Sequence, residues 1–130
     1  MGEATYKRIF FIGALWNLLG GVFIVAATGW IFATAGVAEP SPPAYYYGWI
    51  ALFMTFGLGY YLVYRDMYRN RDIALLGAIG KVAFAAVFLY DFFAYPHQVP
   101  AFFLVPVAGD LVFAALFVMF LRFAAGKEGP

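Results

Sequence analysis

The sequence predicts an all-α integral membrane protein, a four-helix bundle of up-down-up-down topology formed by a single domain over residues 1–130. Three observations carry this. The first is composition: 65% of the 130 residues are hydrophobic and only 12% are charged, against about 45–50% and about 25% in soluble domains. That excludes a water-soluble globule and a disordered tail. The second is the presence of four continuous apolar runs near the length of about 20 residues that a helix needs to cross hydrocarbon. The third is a one-sided distribution of basic residues along the chain.

The four runs cover about 9–35, 47–64, 73–93 and 101–121. The first, from Ile9, holds only Asn17, Thr28 and Thr34 as polar residues; it exceeds a perpendicular span and is expected to tilt or project. Ala33-Thr34-Ala35 has the small-x-small form of a signal-peptide cleavage site. The run is nevertheless far longer than an h-region of about 7–15 residues, so it reads as a retained helix. Ala38-Glu39-Pro40-Ser41-Pro42-Pro43 cannot continue a helix and forms the first loop. The second run ends at Arg65-Asp66, where a charged turn leads to Asp72, a candidate N-cap for the third run. The proline-broken AYPHQVP segment, Ala94 to Pro100, separates the third run from the fourth. Continuous rather than alternating apolar residues favour helices over a barrel.

Lys7, Arg8, Arg65, Arg69, Arg71, Arg122 and Lys127 all lie before the first run, in the second loop or after the fourth run, and the other two loops carry no Lys or Arg. By the positive-inside rule both termini are cytoplasmic and the chain is a multi-pass protein of the cell (inner) membrane. Trp30, Trp49, Tyr45, Tyr46, Tyr47 and Tyr95 then form an aromatic belt at the outer interface. The bilayer is the expected partner. A formal net charge of +1 gives no reason to expect nucleic acid. GALWN (13–17) echoes GAIGK (77–81), and FGLGYYLVYR (56–65) echoes FAALFVMFLR (113–122). Either two parallel hairpin repeats or chance matching among few residue types accounts for this.

Packing within lipid favours small residues that let backbones approach. Such stripes run through Gly13, Asn17, Gly20, Gly21 and Thr28; through Gly48, Ala51, Thr55 and Gly59; and through Ala74, Gly77, Ala78, Lys81 and Ala85. Their i, i+3/i+4 spacing places each on one helix face, so Asn17, Thr55 and Lys81 are expected to point inward. Tyr60 either anchors the inner interface or reaches the interior.

Lys81 and Asp110 stand out. Lys81 is eight residues into its run and Asp110 twelve residues before Arg122, depths of about 12 and about 18 Å at 1.5 Å per residue. An uncompensated charge at such depth costs at least about 2.5–3.5 kcal/mol. Direct pairing, a water bridge and snorkelling of Lys81 to the interface are all open, because helical side chains lean toward their N-termini and carry these two apart. Asp110 is too short to snorkel, so it is paired, protonated or facing a polar cavity. Pro106 denies a donor to the Phe102 carbonyl, and a kink there would open space. Asp91 and His97 form an outer-end polar cluster that reads either as a proton-accepting pair or as an interfacial carboxylate bonded to loop backbone or water. A lone His is a poor metal signal, so no metal site is expected.

With no Cys and one His, and with no phosphate loop, HExxH or nucleophile–base constellation, a membrane oxidoreductase or other enzyme is disfavoured. The sequence points to no particular cofactor. Four helices in this length, Gly57-x-Gly59-Tyr60 before a charged turn, and LGAIGK (76–81) resemble the DoxX-like group of small bacterial membrane proteins. That resemblance implies a four-helix membrane fold. Members of the group have been linked to quinone-dependent oxidation and accessory roles, and it carries no residue assignments to this chain. The functional expectation is binding or translocation of a small amphipathic molecule, lipid or quinone at Asp110, Lys81, Asn17, Thr55 and Tyr60. The alternative is an accessory or structural subunit whose small-residue stripes pack a homodimer or a membrane-complex partner.

Overall fold

The structure, a computed structural model, describes residues 1–127. Among these it is all helical: α1 (Glu3–Ala26), α2 (Thr28–Ala35), α3 (Ala44–Arg65), α4 (Arg71–Ala94) and α5 (Leu104–Ala125), with a 3-10 turn at Ala101–Phe103 leading into α5. Three segments, Glu3–Ala26, Arg71–Ala94 and Ala101–Ala125, are long and apolar enough to cross a membrane. α3 is 22 residues long, and the phenolic tips of its six tyrosines lower its mean hydropathy.

The first run is not one straight helix. It starts at Glu3, and at Ala27 (φ −102°, ψ 10°) it bends into the short α2. The Thr28 hydroxyl donates back to the carbonyls of Ile24 (2.8 Å) and Val25 (3.1 Å), a local bond that competes with the helical ladder and bends it. α2 stops at Gly36, whose φ of +69° is left-handed. The Gly36 and Val37 N–H groups donate to Ala33 and Phe32, a Schellman closure that satisfies two orphan carbonyls.

At the other end of α3, Asp66 is extended (φ −145°). The Asn70 amide donates to the Leu62 and Asp66 carbonyls, covering the helix end. Asn70, rather than Asp72, occupies the N-cap position of α4, and Asp72 lies in the first turn, where a carboxylate still favours the helix dipole. Pro106 does not kink a running helix. The α-helix begins only at Leu104 after the 3-10 turn, so Pro106 falls in a first turn whose N–H groups have no intrahelical partner anyway.

Contacts are most extensive between α1 and α3 and between α4 and α5; α3 also meets α4, and α1 meets α5. The α4 stripe (Ala74, Gly77, Ala78, Lys81, Ala85) is buried as expected, and of the expected α1 stripe Gly13, Asn17 and Gly21 are buried, as is Thr28 at the start of α2, whereas Gly20 is half-buried and Ala14 takes a buried place beside them. The α3 stripe is not as expected. Gly48, Ala51 and Thr55 face outward, and the buried face carries Ile50, Gly57, Tyr60 and Val63. Large side chains win here because the neighbouring helices supply the gaps. Gly77 leaves room for the Tyr60 ring, and Gly57 brings α3 within reach of the Ala14 carbonyl and the Asn17 side chain of α1.

A continuous buried core lies toward the end where α1 begins, α5 ends and the 66–70 turn sits. Phe10 stacks on Phe117 at 4.6 Å between centroids and meets Phe120 edge-on at 5.0 Å; Tyr6 closes against Phe120 and Phe123. Tyr60 sits edge-on to Phe117 at 4.9 Å, so the aromatic core leads directly up to the polar residues.

Candidate ligand site at the helix interior

One chain of polar contacts touches all four long helices. Lys81 Nζ on α4 lies 2.5 Å from Asp110 Oδ1 on α5. It also donates to Asn17 Oδ1 on α1 at 3.3 Å, and the Asn17 amide donates to the Phe53 carbonyl of α3 at 2.8 Å. The Lys81 and Asp110 side chains are 4% and 5% exposed, so snorkelling is excluded and the pair is direct. The long, flexible Lys81 stem bridges the depth offset of about 6 Å that the helical rise gives the two positions. The ammonium also lies 5.5 Å from the Tyr60 ring centroid and 5.3 Å from that of Phe113, distances at which aromatic faces attract a cation.

Asn17, Tyr60, Lys81 and Asp110 line a cavity of about 190 Å³, walled otherwise by Trp49, Phe53, Phe56 and Phe84 among others. Asp110 Oδ2 and the Tyr60 hydroxyl make no hydrogen bond among the described residues. Neither is a sealed orphan, because no buried polar side-chain atom lacks a partner. Both therefore keep accessible surface, and both belong to residues that line the cavity. One acceptor and one hydroxyl thus remain available at the site.

Thr55 is not part of it. Its side chain is exposed and its hydroxyl donates to the Ala51 carbonyl of its own helix at 2.8 Å, a local bond that satisfies it without a neighbour. Asp91 and His97 do not pair either. His97 is exposed on the 95–100 loop with φ +74°, whereas Asp91 lines a second cavity of about 590 Å³ from which His97 is absent. Trp49 was expected in an interfacial belt with Trp30 and Tyr45. Those two are 63% and 82% exposed, but Trp49 turns inward and stacks on Phe84, with rings 3° from parallel and 5.7 Å apart. Trp49 and Phe84 line both cavities. Sequence reasoning missed this wall, although Trp49 and Phe53 share a face of α3 at i, i+4 spacing.

No family model, curated protein or solved structure matches the chain.

Proposed function

We propose that this chain is a four-helix bundle of the cell (inner) membrane, with both termini cytoplasmic, that binds or translocates a small amphipathic molecule, a lipid or a quinone, at the Lys81–Asp110–Asn17 site. The basic residues support the orientation, since Lys7, Arg65, Arg69, Arg71, Arg122 and Lys127 all belong to the end carrying the termini and the 66–70 turn. α3 completes the fourth crossing: its 22 residues rise about 33 Å, enough for a hydrocarbon core of about 30 Å.

The observation that carries the ligand reading is the pair of polar groups without a protein partner, Asp110 Oδ2 and the Tyr60 hydroxyl, beside an aromatic-walled cavity. A polar group left without a hydrogen bond in hydrocarbon costs several kcal/mol, so a ligand or water that meets both is strongly favoured there. The volume decides what kind of ligand. About 190 Å³ is below the range of about 300–1,000 Å³ typical of whole small-molecule sites, so the cavity takes a polar head while an apolar remainder lies along the aromatic walls.

Native mass spectrometry of the protein released from mild detergent or nanodiscs tests this. The expected result is a defined non-lipid or lipid mass on the folded wild type. That mass should be lost on Tyr60→Phe, which removes one hydroxyl and spares the ion pair, and on Asp110→Asn. A wild type that carries no adduct would sink the reading and leave an accessory subunit as the better one.

A further inference from the structure

The second cavity lies at the end where α3 begins and α4 stops, and its chemistry differs from that of the inner site. Six aromatic residues line it, drawn from α2, α3, α4 and the 3-10 turn. Their rings form an unbroken series. Phe32 meets Tyr46 at 5.4 Å, Tyr46 meets Trp49 at 6.1 Å, and Trp49 stacks on Phe84 at 5.7 Å. Phe84 then meets Phe88 at 4.5 Å, and Phe88 meets Phe103 at 5.9 Å.

Asp91 is the only charged side chain on the lining. Among the described residues no hydrogen bond or ion pair engages its carboxylate. The contrast with Asp110 is direct: there a lysine cancels the charge, whereas here nothing does.

From this juxtaposition we propose that the outer cavity is a binding site for a hydrophobic organic cation, an amine, quaternary ammonium or phosphonium centre carrying apolar substituents. Aromatic faces present negative potential and attract such cations, most strongly where water is excluded. The partly buried Asp91 carboxylate supplies the opposite charge. Apolar substituents match the rest of the wall, and about 590 Å³ falls within the range of about 300–1,000 Å³ for small-molecule sites. An anion would meet both Asp91 and the ring faces unfavourably. A zwitterionic phospholipid headgroup brings an ammonium together with a phosphate, and no Lys, Arg or His lines the cavity to receive the phosphate. A free cation is therefore the better fit. The proposal needs no ligand at the Lys81–Asp110 pair, although Trp49 and Phe84 wall both cavities.

The test uses the full chain in phosphatidylcholine nanodiscs and two ions of the same shape and opposite charge, tetraphenylphosphonium and tetraphenylborate, with binding measured by equilibrium dialysis at several protein concentrations. The expected result is saturable phosphonium binding that borate does not displace. Asp91→Asn should weaken it by about tenfold or more, as loss of a close, partly desolvated charge pair requires, and Asp91→Glu should keep most of it. Equal affinity for the two ions, absence of saturable phosphonium binding, or an unchanged Asp91→Asn protein would overturn the proposal. So would a phospholipid retained by the wild type and released by Asp91→Asn, which would assign the cavity to lipid. Should Asp91→Asn fail to fold, the phosphonium–borate comparison on the wild type still decides.

Discussion

The Tyr60 ring lies against the backbone of Gly77, so close that a methyl group on Gly77 would stand 2.5 Å from a ring carbon and 2.8 Å from the hydroxyl oxygen. Tyr60 is itself 1% exposed and wedged edge-on to Phe117, so it has nowhere to go. Gly77→Ala should destabilise the protein by about 1–3 kcal/mol, the usual cost of overpacking a filled core. Thermal unfolding in detergent measures it, and Tyr60→Leu combined with Gly77→Ala should restore part of the loss. Strict additivity of the two changes would show that the ring and the glycine do not collide.

Removing one member of the Lys81–Asp110 pair leaves the other as a bare charge. Lys81→Met should therefore cost about 3–5 kcal/mol, and Lys81→Met with Asp110→Leu should recover most of it, since a buried pair replaced by apolar groups is often neutral or stabilising. The same double variant should lose the inner-site ligand. A Lys81→Met protein that melts with the wild type would mean the pair is not buried as described.

Thr55 and Asn17 make a matched contrast. Thr55→Ala removes a bond within one exposed helix turn and should change stability by less than about 0.5 kcal/mol. Asn17→Ala removes the link from α1 to both Lys81 and the Phe53 carbonyl; interhelical bonds of this kind are worth up to about 1.7 kcal/mol. Unfolding midpoints in reversible denaturation would separate the two, and a costlier Thr55→Ala would contradict the outward placement of Thr55.

Gly36 closes α2 at a φ of +69°, where an L side chain is strained by roughly 1–2 kcal/mol. Gly36→Ala should lower stability by about that amount, whereas Gly48→Ala, where a Cβ meets nothing within 4 Å, should not. Comparable melting of the two variants would remove the left-handed cap.

How far the sequence was legible varies by element, and for physical reasons. α1 and α4 bury their small residues, so their inward faces follow from 3.6-residue spacing alone. α3 obeys the complementary rule: Ile50, Tyr60 and Val63 fill gaps left by the other helices, and no single helix announces which of its two stripes meets a gap. The bend at Ala27 was hidden because Thr28 fits an apolar run until its hydroxyl turns back on Ile24. Asp110 and Lys81 were visible as opposite charges at comparable depth. Their direct contact was not, since local lean argues against it and only the reach of the lysine stem overcomes that. The Asp91 cavity depends on how α2, α3, α4 and the 3-10 turn come together, which lies beyond any one-helix argument.

The partners of the buried ion pair are 29 residues apart on consecutive helices, whereas Asn17 and the Phe53 carbonyl come from the two earlier ones. Charge is thus balanced inside one hairpin, and the other hairpin contributes only neutral dipoles to the network. The ion pair is therefore complete within α4 and α5 and needs no charged group from α1 or α3. The first hairpin carries no buried charge of its own in need of a later rescuer. Each half of the chain is in this sense electrically self-sufficient before the halves meet.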